Sequence, residues 1–121
     1  MSRPYLVAGN WKMHGHGDSN QALVKGICEG LAAAPKVQVL VCPPFPYLTA
    51  VKQAAGASAL AVGAQDVAAQ SKEGAFTGEV LASMLKDVGC THVLVGHSER
   101  RALFGDTDTV VAHKVAAALA A

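Results

Sequence analysis

Two polar residues at the end of a short apolar segment have types and spacing that could perform chemistry. Asn10 and Lys12 are two positions apart, so in an extended chain both side chains project to the same face. A lysine in that place loses hydration unless an anion meets it, which favours binding of a phosphate or of a developing oxyanion. A solvated turn with a surface lysine is the alternative explanation of the same pair.

A second candidate group lies in the run GHSERR at residues 96–101. His97 continues the alternation of Val93 and Val95, which places its imidazole on an inward strand face at the mouth of a sheet. A helical turn beginning there would direct backbone N–H groups at the ring and disfavour its charged form. A neutral imidazole can donate a hydrogen bond to a carbonyl. Glu99, beside two arginines, could instead belong to a surface ion-pair cluster.

The third segment of interest is a long connection at residues 65–78. Strand-to-helix loops usually have roughly 2–6 residues, and longer ones tend to be functional. Phe76, followed by Thr77 and Gly78, is an aromatic side chain in an otherwise polar stretch, which suggests docking against a partner chain. A loose surface loop with one buried aromatic fits the composition equally well.

The elements that must position these residues alternate between apolar strands and amphipathic helices. We predict strands at 5–8, 37–42, 59–64 and 91–95, and a tight turn at 96–101. The first predicted helix begins after a cap at 18 or 19 and ends at 33, and the second covers 46–55. The third begins at 77 or 78 and ends at 87, and the last begins after a cap at 106 or 107 and ends at 119. Continuous apolar strands separated by helices indicate an α/β fold with a parallel sheet covered on both faces. An open doubly wound sheet and part of a (βα)₈ barrel both fit this pattern.

Composition excludes several classes of protein. The 121 residues, which are enough for one domain, predict a single unit over 1–121. A net charge of +1 provides no basic stripe for nucleic acid, and the longest uncharged stretches fall short of the roughly 18 apolar residues of a membrane span. Three cysteines without a CxxC pair predict reduced thiols in a cytoplasmic protein. The pair His14 and His16 lacks further ligands, so we predict no metal site.

Taken together, five motifs closely resemble the triosephosphate isomerase family. They are AGNWKM at 8–13, CPPFPY at 42–47, VGAQD at 62–66, GAFTGE at 74–79 and VGHSERR at 95–101. The motifs follow the family's order and spacing and cover almost the whole chain. The resemblance therefore selects the barrel, and the four strand–helix units are expected to form a (βα)₄ half of a TIM (βα)₈ barrel with parallel strands.

The resemblance also implies an activity and roles for individual residues. The family interconverts dihydroxyacetone phosphate and glyceraldehyde 3-phosphate in glycolysis through an enediolate, without metal or cofactor, and its neutral histidine is well established. His97 matches the electrophile that polarises the substrate carbonyl, and Lys12 matches the cation that binds the anionic substrate. Asn10 matches a residue lining the same pocket, and Glu99 matches the acidic residue that follows the histidine. Residues 76–78 resemble the dimer loop that reaches a neighbouring subunit.

The length of the chain predicts that part of the family's catalytic apparatus is absent. A complete barrel needs about 250 residues, so the sequence predicts an N-terminal half in which the glutamate base and the main phosphate loops are absent. We expect negligible turnover from this chain alone. Its partner would be the missing C-terminal half or a second copy, joined through unpaired edge strands. In the second case the chain would be a non-catalytic half-barrel scaffold, engineered or excised. One departure from the family pattern is Asp106, where glutamate is expected.

Overall fold

Four parallel strands form one sheet in the order β1-β2-β3-β4 in the computed structural model, which describes residues 3–121. The strands are β1 (Tyr5–Asn10), β2 (Val37–Cys42), β3 (Ala61–Ala64) and β4 (His92–Val93). Each strand pairs with its predecessor in the chain, as helix-connected parallel strands do. The expected α/β half-barrel with parallel strands is confirmed.

Five helices connect and follow these strands. They are α1 (Gly17–Gly30), α2 (Leu48–Ala55), α3 (Ala82–Asp87), α4 (Ser98–Phe104) and α5 (Asp108–Ala120), with short 3₁₀ helices at Leu31–Ala33 and Phe45–Tyr47. Local chemistry sets two of the boundaries. The Thr107 hydroxyl accepts a hydrogen bond from the Val110 N–H and so caps α5. Gly105 ends α4 in the left-handed region, at a φ of 76°.

The core is built from small aliphatic side chains between the sheet and the first two helices. Val24 of α1 and Val51 of α2 are almost completely buried, as are Val41 and Val62, which are register partners on β2 and β3. Burying one such side chain stabilises the fold by about 1.5–3 kcal/mol. The central strands therefore form a rigid base for the residues at their carboxyl ends.

The outer strands of the sheet are far less covered. Within residues 3–121, β1 pairs only with β2, and β4 pairs only with β3. Tyr5, Leu6 and Val7 of β1 remain 75%, 46% and 58% exposed, although they form a continuous apolar strand. The sheet thus has a free backbone edge at each side, and the edge strand β1 is apolar and exposed.

Three predicted boundaries are wrong. The helix expected from position 77 or 78 begins only at Ala82, because Gly78 adopts a φ of 91° and the backbone turns tightly between Phe76 and Glu79. The tight turn expected at 96–101 becomes helix α4 from Ser98. Helix α1 is capped at His16 rather than at 18 or 19, and the Ser19 hydroxyl instead hydrogen-bonds the His16 backbone.

The remaining differences are changes in length. Strand β1 extends two residues beyond the predicted 5–8, whereas β3 and β4 are shorter than the predicted 59–64 and 91–95. The helices predicted to end at 33 and to begin at 46 have 3₁₀ geometry at those ends. Such shifts occur where the pairing partner or the last helical turn decides the boundary.

Candidate active site

A cavity of about 190 Å³ lies at the carboxyl ends of the strands. Parallel α/β sheets and barrels place their ligand sites at this end. The cavity brings together Asn10, Lys12, His97 and Glu99, which come from two segments of the chain more than 80 positions apart. Its wall is completed by Met13, Phe45, Gln65, Asp66, Arg100 and Phe104.

Lys12 is held in an unusual backbone conformation. Its φ of 55° lies in the left-handed region, which costs a residue with a β-carbon about 1–2 kcal/mol. The Asn10 side-chain oxygen accepts a hydrogen bond from the Lys12 N–H at 2.9 Å. The Gln65 amide donates to the carbonyl oxygens of Lys12 and Cys42, both at 2.8 Å. These contacts fix the strained residue between the ends of β1, β2 and β3.

An ion pair joins the two halves of the site. Lys12 Nζ lies 2.7 Å from Glu99 Oε1, and both side chains are roughly half exposed. The hydrogen bond from Lys12 is the main reason that the pKa of Glu99 is lowered. Partial desolvation of the carboxylate opposes this change, whereas the charge of Lys12, and that of the His97 ring in its protonated form, add to it. Glu99 therefore stays ionised near neutral pH and is a weak base there.

The His97 ring is oriented by the start of α4. Its Nδ1 accepts a hydrogen bond from the Glu99 backbone N–H at 3.1 Å, so His97 is the side-chain cap of this helix. A ring nitrogen that accepts this bond carries no proton, which leaves the hydrogen of the neutral imidazole on Nε2. The side chain is 29% exposed and lines the cavity. His97 can thus present an N–H donor to a polar group bound there.

Comparison with known proteins identifies the family. The model of the triosephosphate isomerase family matches residues 5–121. This chain belongs to the triosephosphate isomerase family. It is 58% identical over 112 residues to the triosephosphate isomerase of Dechloromonas aromatica and 52% identical over 120 residues to that of Rhodopirellula baltica. These alignments cover 93% and 99% of this chain but 44% and 47% of the relatives.

A solved structure agrees with this assignment. The crystal structure of the triosephosphate isomerase from Bartonella henselae superimposes with a TM-score of 0.90 at 33% identity. The match covers 98% of this chain and 48% of that one. The chain thus spans about half the length of the triosephosphate isomerases that it matches, and its fold is that of a TIM half-barrel.

Several residues that line or support this cavity are not among the predicted site residues. Gln65, which ties Lys12 to β2, lies in the predicted long loop and in the VGAQD motif but has no predicted site role, although its place directly after a strand is a usable signal. Asp66 and Arg100 line the cavity and form an ion pair with each other. Asp66 also contacts Lys114, and Arg100 also contacts Asp106. No local pattern pairs Asp66 with Lys114, because the two residues are separated by 48 positions.

The segment predicted to be a dimer loop lies apart from this site. Phe76, Thr77 and Gly78 do not line the cavity, and the Phe76 side chain is 46% exposed. A hydrogen bond from the Ala68 N–H to the Val80 carbonyl closes the base of this loop at 2.8 Å. The structure therefore places the three residues on a projecting loop and does not bring them to His97.

Other reactive groups in the described part of the chain form no second centre. No three His, Cys, Asp or Glu side chains in residues 3–121 come together as metal ligands. Burial, with a contribution from nearby Cys90, raises the pKa of the Cys42 thiol to about 11. Cys42 is consequently a protonated, unreactive thiol at neutral pH. No helix over the same residues is long and apolar enough to cross a membrane.

Proposed function

We propose that this chain supplies the N-terminal half of a triosephosphate isomerase site, which interconverts dihydroxyacetone phosphate and glyceraldehyde 3-phosphate. The observation that carries the proposal is the convergence of Asn10, Lys12, His97 and Glu99 on one cavity in a chain of this family. Residues 1–121 would act as one unit, in glycolysis. Three free cysteines are consistent with a reducing compartment such as the cytoplasm.

Each of these residues has a chemical role in the proposal. The Nε2–H of His97 donates to the substrate carbonyl oxygen and stabilises the negative charge that develops there. The Lys12 ammonium neutralises the anionic substrate, and Asn10 holds the Lys12 backbone in place from the same wall. Glu99 keeps the Lys12 ammonium oriented over the cavity. These groups supply electrophilic and binding functions, without a metal or cofactor.

Proton abstraction beside the carbonyl requires a further group, which we expect another polypeptide to supply. A general base needs a pKa near the working pH. The two carboxylates in the cavity wall are both engaged in ion pairs, Glu99 with Lys12 and Asp66 with Arg100 and Lys114. We therefore expect negligible turnover from the 121-residue chain alone.

The free edges of the sheet favour a partner that adds strands. Tyr5, Leu6 and Val7 on β1 are apolar and exposed, so association would remove them from water. The partner that restores activity by binding at these edges would be the remaining half of a triosephosphate isomerase. A second copy of this chain, with β4 of each protomer against β1 of the other, would form an inactive homodimer. The 76–78 loop would serve contacts between subunits in the complete assembly.

Addition of the missing half tests the proposal. The purified chain is assayed with dihydroxyacetone phosphate alone and after addition of a polypeptide that covers the remaining part of the Dechloromonas aromatica relative. We expect turnover only in the mixture, and its loss in His97→Gln. His113→Gln is the matched control, because His113 is an exposed residue of α5 outside the cavity.

Light scattering on the same samples identifies the partner. A dimer without turnover for the chain alone, replaced by an active complex in the mixture, supports both parts of the proposal. Turnover by the chain alone that His97→Gln abolishes would contradict the need for an external base. An inactive but well-formed complex would contradict the proposed function.

A further inference from the structure

Four charged side chains form a partly buried ion network at the wall of the candidate active-site cavity: Asp66, Arg100, Asp106 and Lys114. Lys114 is only 4% exposed, although lysine is rarely buried without a partner. Its Nζ donates to Asp66 Oδ1 and to Asp106 Oδ2, both at 2.8 Å. Arg100 Nε lies 3.1 Å from Asp66 Oδ2 and 3.2 Å from Asp106 Oδ2. Two cations and two carboxylates thus balance each other.

The network connects three parts of the fold. Asp66 follows β3, Arg100 belongs to α4, and Asp106 lies between α4 and α5, which carries Lys114. The backbone strengthens the link, because the Asp106 N–H donates to the Arg100 carbonyl. Through Arg100, helix α4 is therefore tied to Asp66 at the carboxyl end of β3 and to Asp106, and Lys114 of α5 binds both of these carboxylates.

Helix α4 has little else to hold it in place. None of its seven residues is buried, and Leu103 and Phe104 are 73% and 66% exposed. Apolar packing, which fixes α1 and α2 on the sheet, is thus weak for this helix. Its position depends mainly on polar contacts, and the pairs of Arg100 with Asp66 and Asp106 are the most buried of its ion pairs. Glu99, which directs Lys12, is the residue next to Arg100 on α4.

Both buried groups remain charged near neutral pH. Burial alone would raise the pKa of Asp106, but the hydrogen bonds and charges of Lys114 and Arg100 outweigh it and lower that pKa. Burial alone would lower the pKa of Lys114, but the hydrogen bonds to Asp106 and Asp66 outweigh it and raise that pKa. A buried ion pair is often no more stabilising than apolar packing, yet its short, directed contacts fix geometry.

We propose that Lys114 is a positioning residue that holds α4, through Asp66 and Asp106, in the place where Glu99 reaches Lys12. The inference rests on the proposed function, because the geometry that it preserves is that of the proposed site. Lys114 itself does not line the cavity, so its effect on the site is indirect.

The pKa of Glu99, measured by carbon-13 NMR, tests this role in the 121-residue chain without any need for turnover. Glu99 faces Lys12 and His97, and its pKa is lowered mainly by the Lys12 contact. In Lys114→Met we expect that pKa to rise toward the ordinary value for glutamate. Asp108→Asn is the matched control, because it breaks the exposed Arg101–Asp108 pair between α4 and α5 and leaves the network intact.

A second variant separates position from charge. Removal of a negative charge in Asp66→Ala would by itself lower the pKa of Glu99 further, whereas displacement of α4 raises it. Because Asp66→Ala removes contacts of both Lys114 and Arg100, a rise supports the positioning of α4 by the ion network to which Lys114 belongs, and a fall or no change contradicts the proposal. This variant also provides the test if Lys114→Met fails to fold, since it leaves Lys114 paired with Asp106.

Kinetics of the chain mixed with the complementary half give a second readout. Mispositioning of reacting groups by about 1 Å can reduce the rate on the order of 10²-fold. We expect Lys114→Met to lower kcat by roughly tenfold to a hundredfold with a smaller change in KM. If the mixture is inactive, the proposed function fails while the NMR test still decides the role of Lys114. An unchanged Glu99 pKa in folded Lys114→Met overturns the inference.

Discussion

The backbone strain at Lys12 leads to a prediction in which the same substitution has opposite effects at two positions. Lys12 adopts a φ of 55°, a conformation that glycine adopts without cost. Lys12→Gly and Lys12→Met both remove the ammonium group, so both lose the half-exposed pair with Glu99, which is worth at most about 1 kcal/mol. The two variants differ chiefly in whether the backbone strain remains.

The size of the difference follows from two opposing contributions. Glycine relieves about 1–2 kcal/mol of left-handed strain. It also adds about 0.5–1 kcal/mol of conformational freedom to the unfolded chain. We therefore expect the free energy of unfolding of Lys12→Gly to exceed that of Lys12→Met by about 0.5–1 kcal/mol.

Urea unfolding followed by far-ultraviolet circular dichroism measures this difference, at one protein concentration so that association does not bias the comparison. Lys25 is the matched control, because it is an exposed residue inside α1, where glycine is unfavourable. There we expect Lys25→Gly to be less stable than Lys25→Met by roughly 0.5–1 kcal/mol. If glycine is also the less stable residue at position 12, the strain argument is refuted.

Two further predictions concern stability. The lowered pKa of Asp106 stabilises the fold above about pH 4, and this stabilisation is lost as the pH falls through the folded-state pKa of Asp106. The raised pKa of Lys114 stabilises the fold below about pH 10.5, and this stabilisation is lost as the pH rises through the folded-state pKa of Lys114. Asp106→Asn should flatten the acid limb of the unfolding free energy against pH, and an unchanged limb would contradict the assignment. Gly63→Ala places a methyl group 3.0 Å from the His92 carbonyl oxygen and should destabilise the fold by about 1–3 kcal/mol. In Gly26→Ala the new methyl group on α1 meets no other atom within 4 Å, so this variant should stabilise the fold by up to about 1 kcal/mol. Thermal unfolding of both glycine variants measures whether the first is destabilised and the second is stabilised.

The fold was predictable from the sequence where local signals agree with the tertiary structure. Strand β2 has the predicted bounds because a run that is apolar except for Gln38 lies between proline-containing segments. Helix α3 was placed too early because the positive φ of Gly78 depends on how the long loop returns to the sheet. Helix α4 was predicted only as a tight turn at 96–101, because its seven residues, without a buried side, carry no apolar periodicity.

The candidate site was predictable only in part, for a similar reason. Asn10, Lys12 and His97 could be placed because they follow strands, and parallel strands bring their carboxyl ends together. The ion network could not be predicted, because Asp66 and Lys114 meet only after β3 and α5 have packed. A lysine on an amphipathic helix is normally solvated, and nothing in its local sequence distinguishes Lys114 from such a residue.

The order of the strands has a consequence for how the chain folds during its synthesis. Each strand pairs with the one made just before it, roughly 20 to 30 residues earlier in the chain, so a growing polypeptide can add strands one at a time as they leave the ribosome. Strand β1 is made first, and its outer edge gains no neighbour from residues 3–121. Among the four strands, β1 therefore has the apolar surface that stays uncovered longest while they are made. A chaperone that recognises extended apolar segments would meet Tyr5, Leu6 and Val7 before any other strand of the sheet.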